Sequence, residues 1–316
     1  MRLAVIQSIV VVTAALTAQA SAQSRDWTRV HSPHFTAAGN AAFQDIRLVL
    51  LELEGFRAAL LRSFPGLRLT SGRPTTVVVF RDERSFAPFK PAAATGERHD
   101  NVVGYFVSTA EANYMAVATH RDMRRTFQHL FHEYTHYVVH HNMGRVPGWL
   151  NEGLAEYFST LQADLRAGRS ILGQPSPVRL ATLRGGGLLP LRDVLAYDAS
   201  GAVAHPPGRA AAFYAQSWAL VHYLQHAEAG RHVAGVGPYV DAVRAGATVD
   251  DAVSSAFGME LHELEQRLLG YIRRGSYAQR VLEEPAGTEA VRTAREAMRE
   301  SDVEALLEAL RAALRS

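Results

Sequence analysis

The chain has 316 residues, 47% hydrophobic and 20% charged, so it can bury a sizeable core in one large domain or two lobes. Its formal net charge is +2 and Lys90 is its single lysine, which gives no basis for nucleic-acid binding. It has no cysteine, which excludes disulfides, a thiol nucleophile and a lipid-modified cysteine, and leaves His, Asp and Glu as the only strong metal ligands.

Residues 1–22 read as a secretory signal. Arg2 precedes an apolar run over residues 3–16 that is too short to span a bilayer, and Ala20-Ser21-Ala22 offers a small-residue cleavage site, with cleavage expected after Ala22. This implies a secreted or periplasmic protein with no membrane association once the signal is removed. Residues 27–37 are expected to form a strand leading into a helix, with His31 and His34 as exposed or edge histidines. Residues 40–64 place Phe43, Ile46, Leu50, Leu53, Phe56 and Leu60 at helical spacing, and Pro65-Gly66 ends that helix. Residues 75–80 read as a buried strand, 82–89 as a short helix, 88–100 as a loop, and 102–107 and 113–118 as two further strands.

The stretch from Thr119 to Tyr157 organises the rest. Thr119 and Asp122 stand three apart, as a helix-opening capping pair does. Met123, Phe127, Leu130, Phe131, Tyr134 and Val138 then make an apolar face, and His129, His132, Glu133, His136 and His140 lie on the adjoining one. His132 and His136 are four apart, so their rings share one side of a helix and can chelate one Zn²⁺. Glu133 projects beside them, where it can take a proton from water.

Asn142 and Gly144 are stop signals, and Pro147 suits the first turn of a second helix. About a turn centred near Gly144, Glu152 is as far after as His136 is before, and Glu156 matches His132. Antiparallel helices bring equal offsets side by side. Glu152 is therefore the preferred third ligand over Glu156, and Glu156 can bond the second ring nitrogen of His132. Val139 and Asn142 stand where a metzincin would have its glycine and third histidine.

The His-Glu-x-x-His motif followed by Asn151-Glu152-Gly153-Leu154-Ala155-Glu156 resembles the gluzincin metallopeptidases, which include thermolysin and the zinc aminopeptidases, and most of all the bacterial peptidase-MA-like group. The likeness also touches residues 27–35, 77–80 and 214–218, and so covers most of residues 27–275, although only the zinc motifs are specific. The interval from His136 to Glu152 is shorter than in thermolysin or the aminopeptidases. The resemblance implies ligands at His132, His136 and Glu152, a general base at Glu133, and Glu156 as an outer partner. It further implies that Tyr214 polarises the substrate carbonyl, although the residue pattern alone fits a core tyrosine beside Trp218 equally. It also makes the strand at 113–118 a sheet edge that pairs with substrate backbone.

Residues 168–189, with three consecutive glycines, are expected to be irregular, and 198–209 to be a loop. Residues 209–228 read as a helix carrying Tyr214, Trp218 and His222, with His222 too far from Tyr214 to act at the same atom. Ser217 lacks the acid–base set of a nucleophile. Thr248 and Asp251 cap a helix to Phe257, and residues 261–273 form another. After a linker at 285–287, residues 288–316 read as two amphipathic helices broken near Ser301-Asp302, one repeat-like pair that must dock on the body or on a protein partner, or fray.

The expected fold is α+β: a signal peptide at 1–22, a zincin-like lobe with a mixed sheet and the metal helices at 23–165, a helical lobe at 166–284 and a helical tail at 285–316. The expected activity is zinc-dependent hydrolysis of a peptide or protein substrate. The alternative is a non-catalytic, zinc-stabilised secreted scaffold whose C-terminal helices bind a protein partner. There His129 or His140 would complete a closed site.

Overall fold

The computed structural model describes residues 27–69, 72–91, 102–164, 167–197, 209–283 and 292–315. The signal-peptide reading, most of the loop expected at 88–100 and that at 198–209 lie outside these residues. Contacts divide the chain into one compact unit of residues Met1–Glu54, Gly72–Leu130 and Glu289–Ser316, and a second of Gly55–Ser71 and Phe131–Thr288. The division differs from a break at residue 165, because the segments that carry the metal motifs group with the later helices and not with the sheet.

The first unit holds a six-stranded sheet of order β4-β5-β3-β2-β1-β9. Its strands are β1 (Thr28–His31), β2 (Thr36–Gly39), β3 (Thr75–Phe80), β4 (Gly104–Ser108), β5 (Asn113–Ala118) and β9 (Ala294–Ala297). β2, β3 and β5 run parallel, and the outer pairings are antiparallel. The sheet is thus mixed and the fold α+β. Val77, Val78 and Val79 are fully buried on β3, as a central parallel strand requires. Trp27 packs edge-on against Phe80, with centroids 6.1 Å apart.

Three expectations are corrected in this unit. Residues 27–37 form a β-hairpin, not a strand entering a helix. The buried carboxylate of Glu54 holds its turn, accepting from the Ser32 hydroxyl at 2.7 Å and the His34 backbone N–H at 2.8 Å, and lying 2.7 Å from the His34 ring. β5 is not a sheet edge, since β3 and β4 pair with it on both sides and β4 is the edge strand. The tail is not two helices. Residues 294–297 pair with β1 as β9, and one helix, Glu300–Ala313, follows and sends Val303 and Leu310 into the core. Ser301-Asp302 lies in that helix's first turn, where Asp302 takes a two-point contact from Arg299 at 3.0 and 3.1 Å and suits the positive helix end.

Helix α1 (Phe43–Ser63) and helix α3 (Met123–Met143) each contribute residues to both units, and α2 is the short helix Glu83–Phe86. Asp82 and Ser85 form a reciprocal capping box for α2. Thr119 does not open α3. Its hydroxyl donates to the Arg81 carbonyl, and Asp122 accepts from the Arg124 N–H in the first turn.

The second unit is mostly helical. After α4 (Gly148–Ser159) comes an antiparallel sheet of β6 (Gln162–Asp164), β7 (Arg169–Leu172) and β8 (Arg280–Glu283). Helices α5 (Pro177–Arg184), α6 (Leu191–Ala196), α7 (Arg209–His226), α8 (Val236–Arg244), α9 (Val249–Phe257) and α10 (Leu261–Arg274) follow. Residues 168–189 are therefore more regular than expected. Gly168 supplies the positive φ of the β6–β7 turn, and Pro177 opens α5 at a position where a missing N–H costs nothing. Thr248 caps α9 as expected, accepting from Asp251 N–H at 3.2 Å.

His222 is structural. Its Nδ1 lies 2.7 Å from the Tyr271 hydroxyl and its Nε2 donates to the Gly173 carbonyl at 3.0 Å, while burial lowers its pKa to about 4. No described helix is long and apolar enough to cross a membrane.

Candidate metal centre

α3 and α4 form an antiparallel pair within the second unit. Phe131, on α3, stacks on Phe56 with centroids 4.3 Å apart and an interplanar angle of 15°. On α4, Trp149 packs against Tyr239. These buried aromatic faces leave the polar face of each helix turned toward the other. The turn between them is held at both ends of the break. Gly144 takes a positive φ of 66° after Met143, and the Asn142 side chain donates to the carbonyls of Val138 and Arg68 at 2.8 Å each. Arg244 donates to the carbonyls of Met143 and Arg145, which would otherwise end α3 unsatisfied.

Gly153 explains the motif's glycine. A Cβ there would lie 2.5 Å from the Ser217 carbonyl oxygen and 2.7 Å from a Val221 methyl, so α4 and α7 approach too closely for any side chain. Alanine would gain up to about 1 kcal/mol in helix propensity. The overlap with backbone outweighs that gain, and Gly153→Ala is expected to lower unfolding free energy by about 1–3 kcal/mol in urea titrations. An unchanged midpoint would mean that α4 and α7 are free to separate.

The hairpin brings His132, His136 and Glu152 together. Among the described residues they are the one group of three or more His, Cys, Asp or Glu whose ligand atoms lie within 4.8 Å of one another, and the group could hold a metal ion. His132 Nε2 and His136 Nε2 are 3.1 Å apart, and Glu152 Oε2 lies 3.5 and 3.6 Å from them. A triangle with these sides has a circumscribed radius of about 2.0 Å, the length of a Zn–N or Zn–O bond. Glu152 Oε2 is buried without a hydrogen-bond partner, an arrangement a cation at that point would relieve. The donor set therefore fits a metal. Glu152 reaches both histidines, not His136 alone, and neither His129 nor His140 joins the cluster.

Electrostatics favour the ligating state of Glu152 and His136 and the charged ring of His132. For Glu152, burial opposes the charged form, but His132 and His136 outweigh it and the pKa falls below the usual carboxylate value. Burial lowers the pKa of His136 and favours the neutral ring. For His132, burial acts the same way but is overcome by Glu152, Glu156 and Glu133, and the pKa rises. Glu133 is half-buried beside them.

Glu156 Oε1 is 3.6 Å from His132 Nδ1, on the expected side but beyond a direct hydrogen bond. Its carboxylate is instead gripped by Arg179 of α5, with Nε to Oε2 at 2.8 Å and Nη2 to Oε1 at 2.6 Å. Arg179 was not legible as a site residue because its segment reads as irregular. The signals that could have found it are Ser176-Pro177, a helix opening, and a carboxylate on α4 left without a cation. Tyr214, on α7, parts from Trp218: Trp218 is fully buried, whereas the Tyr214 ring is half-buried with the Arg179 guanidinium 5.1 Å from its centroid. Burial and the carboxylates of Glu152 and Glu156 push the Tyr214 hydroxyl up to about 12.

A family described as a protein of unknown function (DUF1570) matches residues 127–237, about a third of the chain. The matched span contains His132, Glu133, His136, Glu152, Glu156, Arg179 and Tyr214. No curated protein matches the chain.

Proposed function

We propose that the protein is a secreted or periplasmic zinc-dependent metallopeptidase of gluzincin type. One observation carries this reading: two histidines and one glutamate converge with no fourth described ligand, and Glu133 stands between the histidines in sequence on the same helix. A closed structural site takes four protein ligands, whereas a catalytic one keeps a position open. The set of two imidazoles and a carboxylate suits Zn²⁺. Bound Zn²⁺ would supply Lewis acidity, lowering the pKa of water toward about 7 and polarising a peptide carbonyl.

The chain's own residues supply the rest. Glu133 takes a proton from the attacking water and returns it to the leaving amine as the C–N bond breaks, so the water is added across the amide. Tyr214, with its pKa raised, stays protonated at neutral pH and acts as a donor to the developing oxyanion, not as a base. The substrate would be a peptide or protein, and the N-terminal signal would deliver the enzyme outside the cytoplasm.

The second reading is a zinc-stabilised scaffold that binds a protein through its C-terminal helices. Two observations weigh against it. A structural site has no use for Glu133, and the apolar side of the tail helix, with Val303 and Leu310, is already buried in the first unit. Hydrolysis of a mixed-peptide substrate should be abolished by a chelator and restored by Zn²⁺. Chelation that only lowers the melting temperature, with no hydrolysis before or after, would favour the scaffold.

A further inference from the structure

Resting on the metal-centre reading above, we infer that Arg179 is a positioning residue for metal binding, acting through Glu156 on His132. The geometry is a relay. Arg179 Nη2 and His132 Nδ1 both face Glu156 Oε1, at 2.6 and 3.6 Å, while Arg179 Nε takes Oε2 at 2.8 Å. A carboxylate on the Nδ1 side of an imidazole favours the tautomer with hydrogen on Nδ1 and turns the Nε2 lone pair outward. Here His132 Nε2 is one corner of the triangle completed by His136 and Glu152.

Glu156 cannot hold this posture alone. Its side chain is 9% exposed, and a carboxylate at that burial without a partner for its oxygens would swing toward solvent. The planar guanidinium fork holds both oxygens and so fixes the carboxylate's plane as well as its charge, which a lysine ammonium cannot do. The fork is itself held. The Tyr214 ring covers the guanidinium, and α5, which carries Arg179, packs along α7. Removing Arg179 should therefore disturb a metal it does not touch.

The test is a double-mutant cycle on the mature protein, with Zn²⁺ affinity read by competition against a chromophoric chelator and the zinc-free melting temperature measured alongside. Arg179→Met and Glu156→Gln should each weaken Zn²⁺ binding about 10–100-fold. The double variant should bind no more weakly than Glu156→Gln alone, because the arginine acts through the glutamate. Arg179→Lys keeps the charge without the fork and should recover only part of the loss. The inference is overturned if Arg179→Met binds zinc as tightly as wild type while only its melting temperature falls, or if the two effects multiply in the double variant. Wild-type protein that binds no zinc would remove the metal reading and this inference together, whereas tight wild-type binding with an unmoved Arg179 variant would remove this inference alone.

Discussion

Glu133→Gln is expected to keep its metal and lose about 10²–10⁴-fold in kcat, the usual contribution of a positioned acid–base group. The substitution conserves volume and a hydrogen-bonding head and removes only the ability to accept and return a proton. Glu133 is half-buried on the same helix as the two histidines but is not one of the three converging ligands, so the triangle of His132, His136 and Glu152 stays complete. Its charge does help to raise the His132 pKa, and losing it shifts that ring toward the neutral, ligating form. The measurement pairs steady-state kcat with metal content on one preparation. Full metal with near-normal turnover would sink the assignment of Glu133 as base.

His136→Ala should abolish stoichiometric zinc binding, and hydrolysis with it. The remaining pair, His132 and Glu152, offers two ligands 3.5 Å apart, and two cannot hold Zn²⁺ against a competing chelator. The loss should exceed the 10–100-fold typical of removing an outer partner. Thermal melting gives an independent reading. A ligand at 100 times its Kd stabilises the folded state by about 2.7 kcal/mol, so zinc should raise the melting temperature of the wild type and leave that of the variant where it was. Equal shifts in the two proteins would place the bound zinc elsewhere. Because His136 is partly exposed and its Nδ1 makes no hydrogen bond, the zinc-free variant should melt close to zinc-free wild type.

The features that could be read without the structure are those set by neighbours in the chain. The helix expected at 40–64 is found at Phe43–Ser63, the strand expected at 75–80 is found there, and Thr248 caps its helix. Helical period, β-branched runs and capping chemistry operate over a few residues, so the chain carries them openly. The candidate metal centre is legible for the same reason. His132 and His136 are one turn apart, and a short turn at Gly144 makes hairpin register a matter of counting.

What misled was also local. Ala294-Arg295-Glu296-Ala297 has good helix formers and reads as helix, yet it becomes a strand because β1 offers an open edge, and propensities of a few tenths of a kcal/mol cannot resist a ladder of hydrogen bonds.

By itself, then, the sequence determined the helices at Phe43–Ser63, Met123–Met143 and Gly148–Ser159, the pair of histidines one turn apart and the carboxylate that meets them, because each depends on spacing along one chain. The tertiary structure alone decided the order of the strands and the interior place of β5. It decided the closeness of α4 to α7 that demands Gly153, and the arrival of Arg179 from a different helix at Glu156. Those depend on which surfaces are left to pack once the local elements exist. Burial of Glu156 then makes a distant cation necessary, and no pattern of spacing names which one will come.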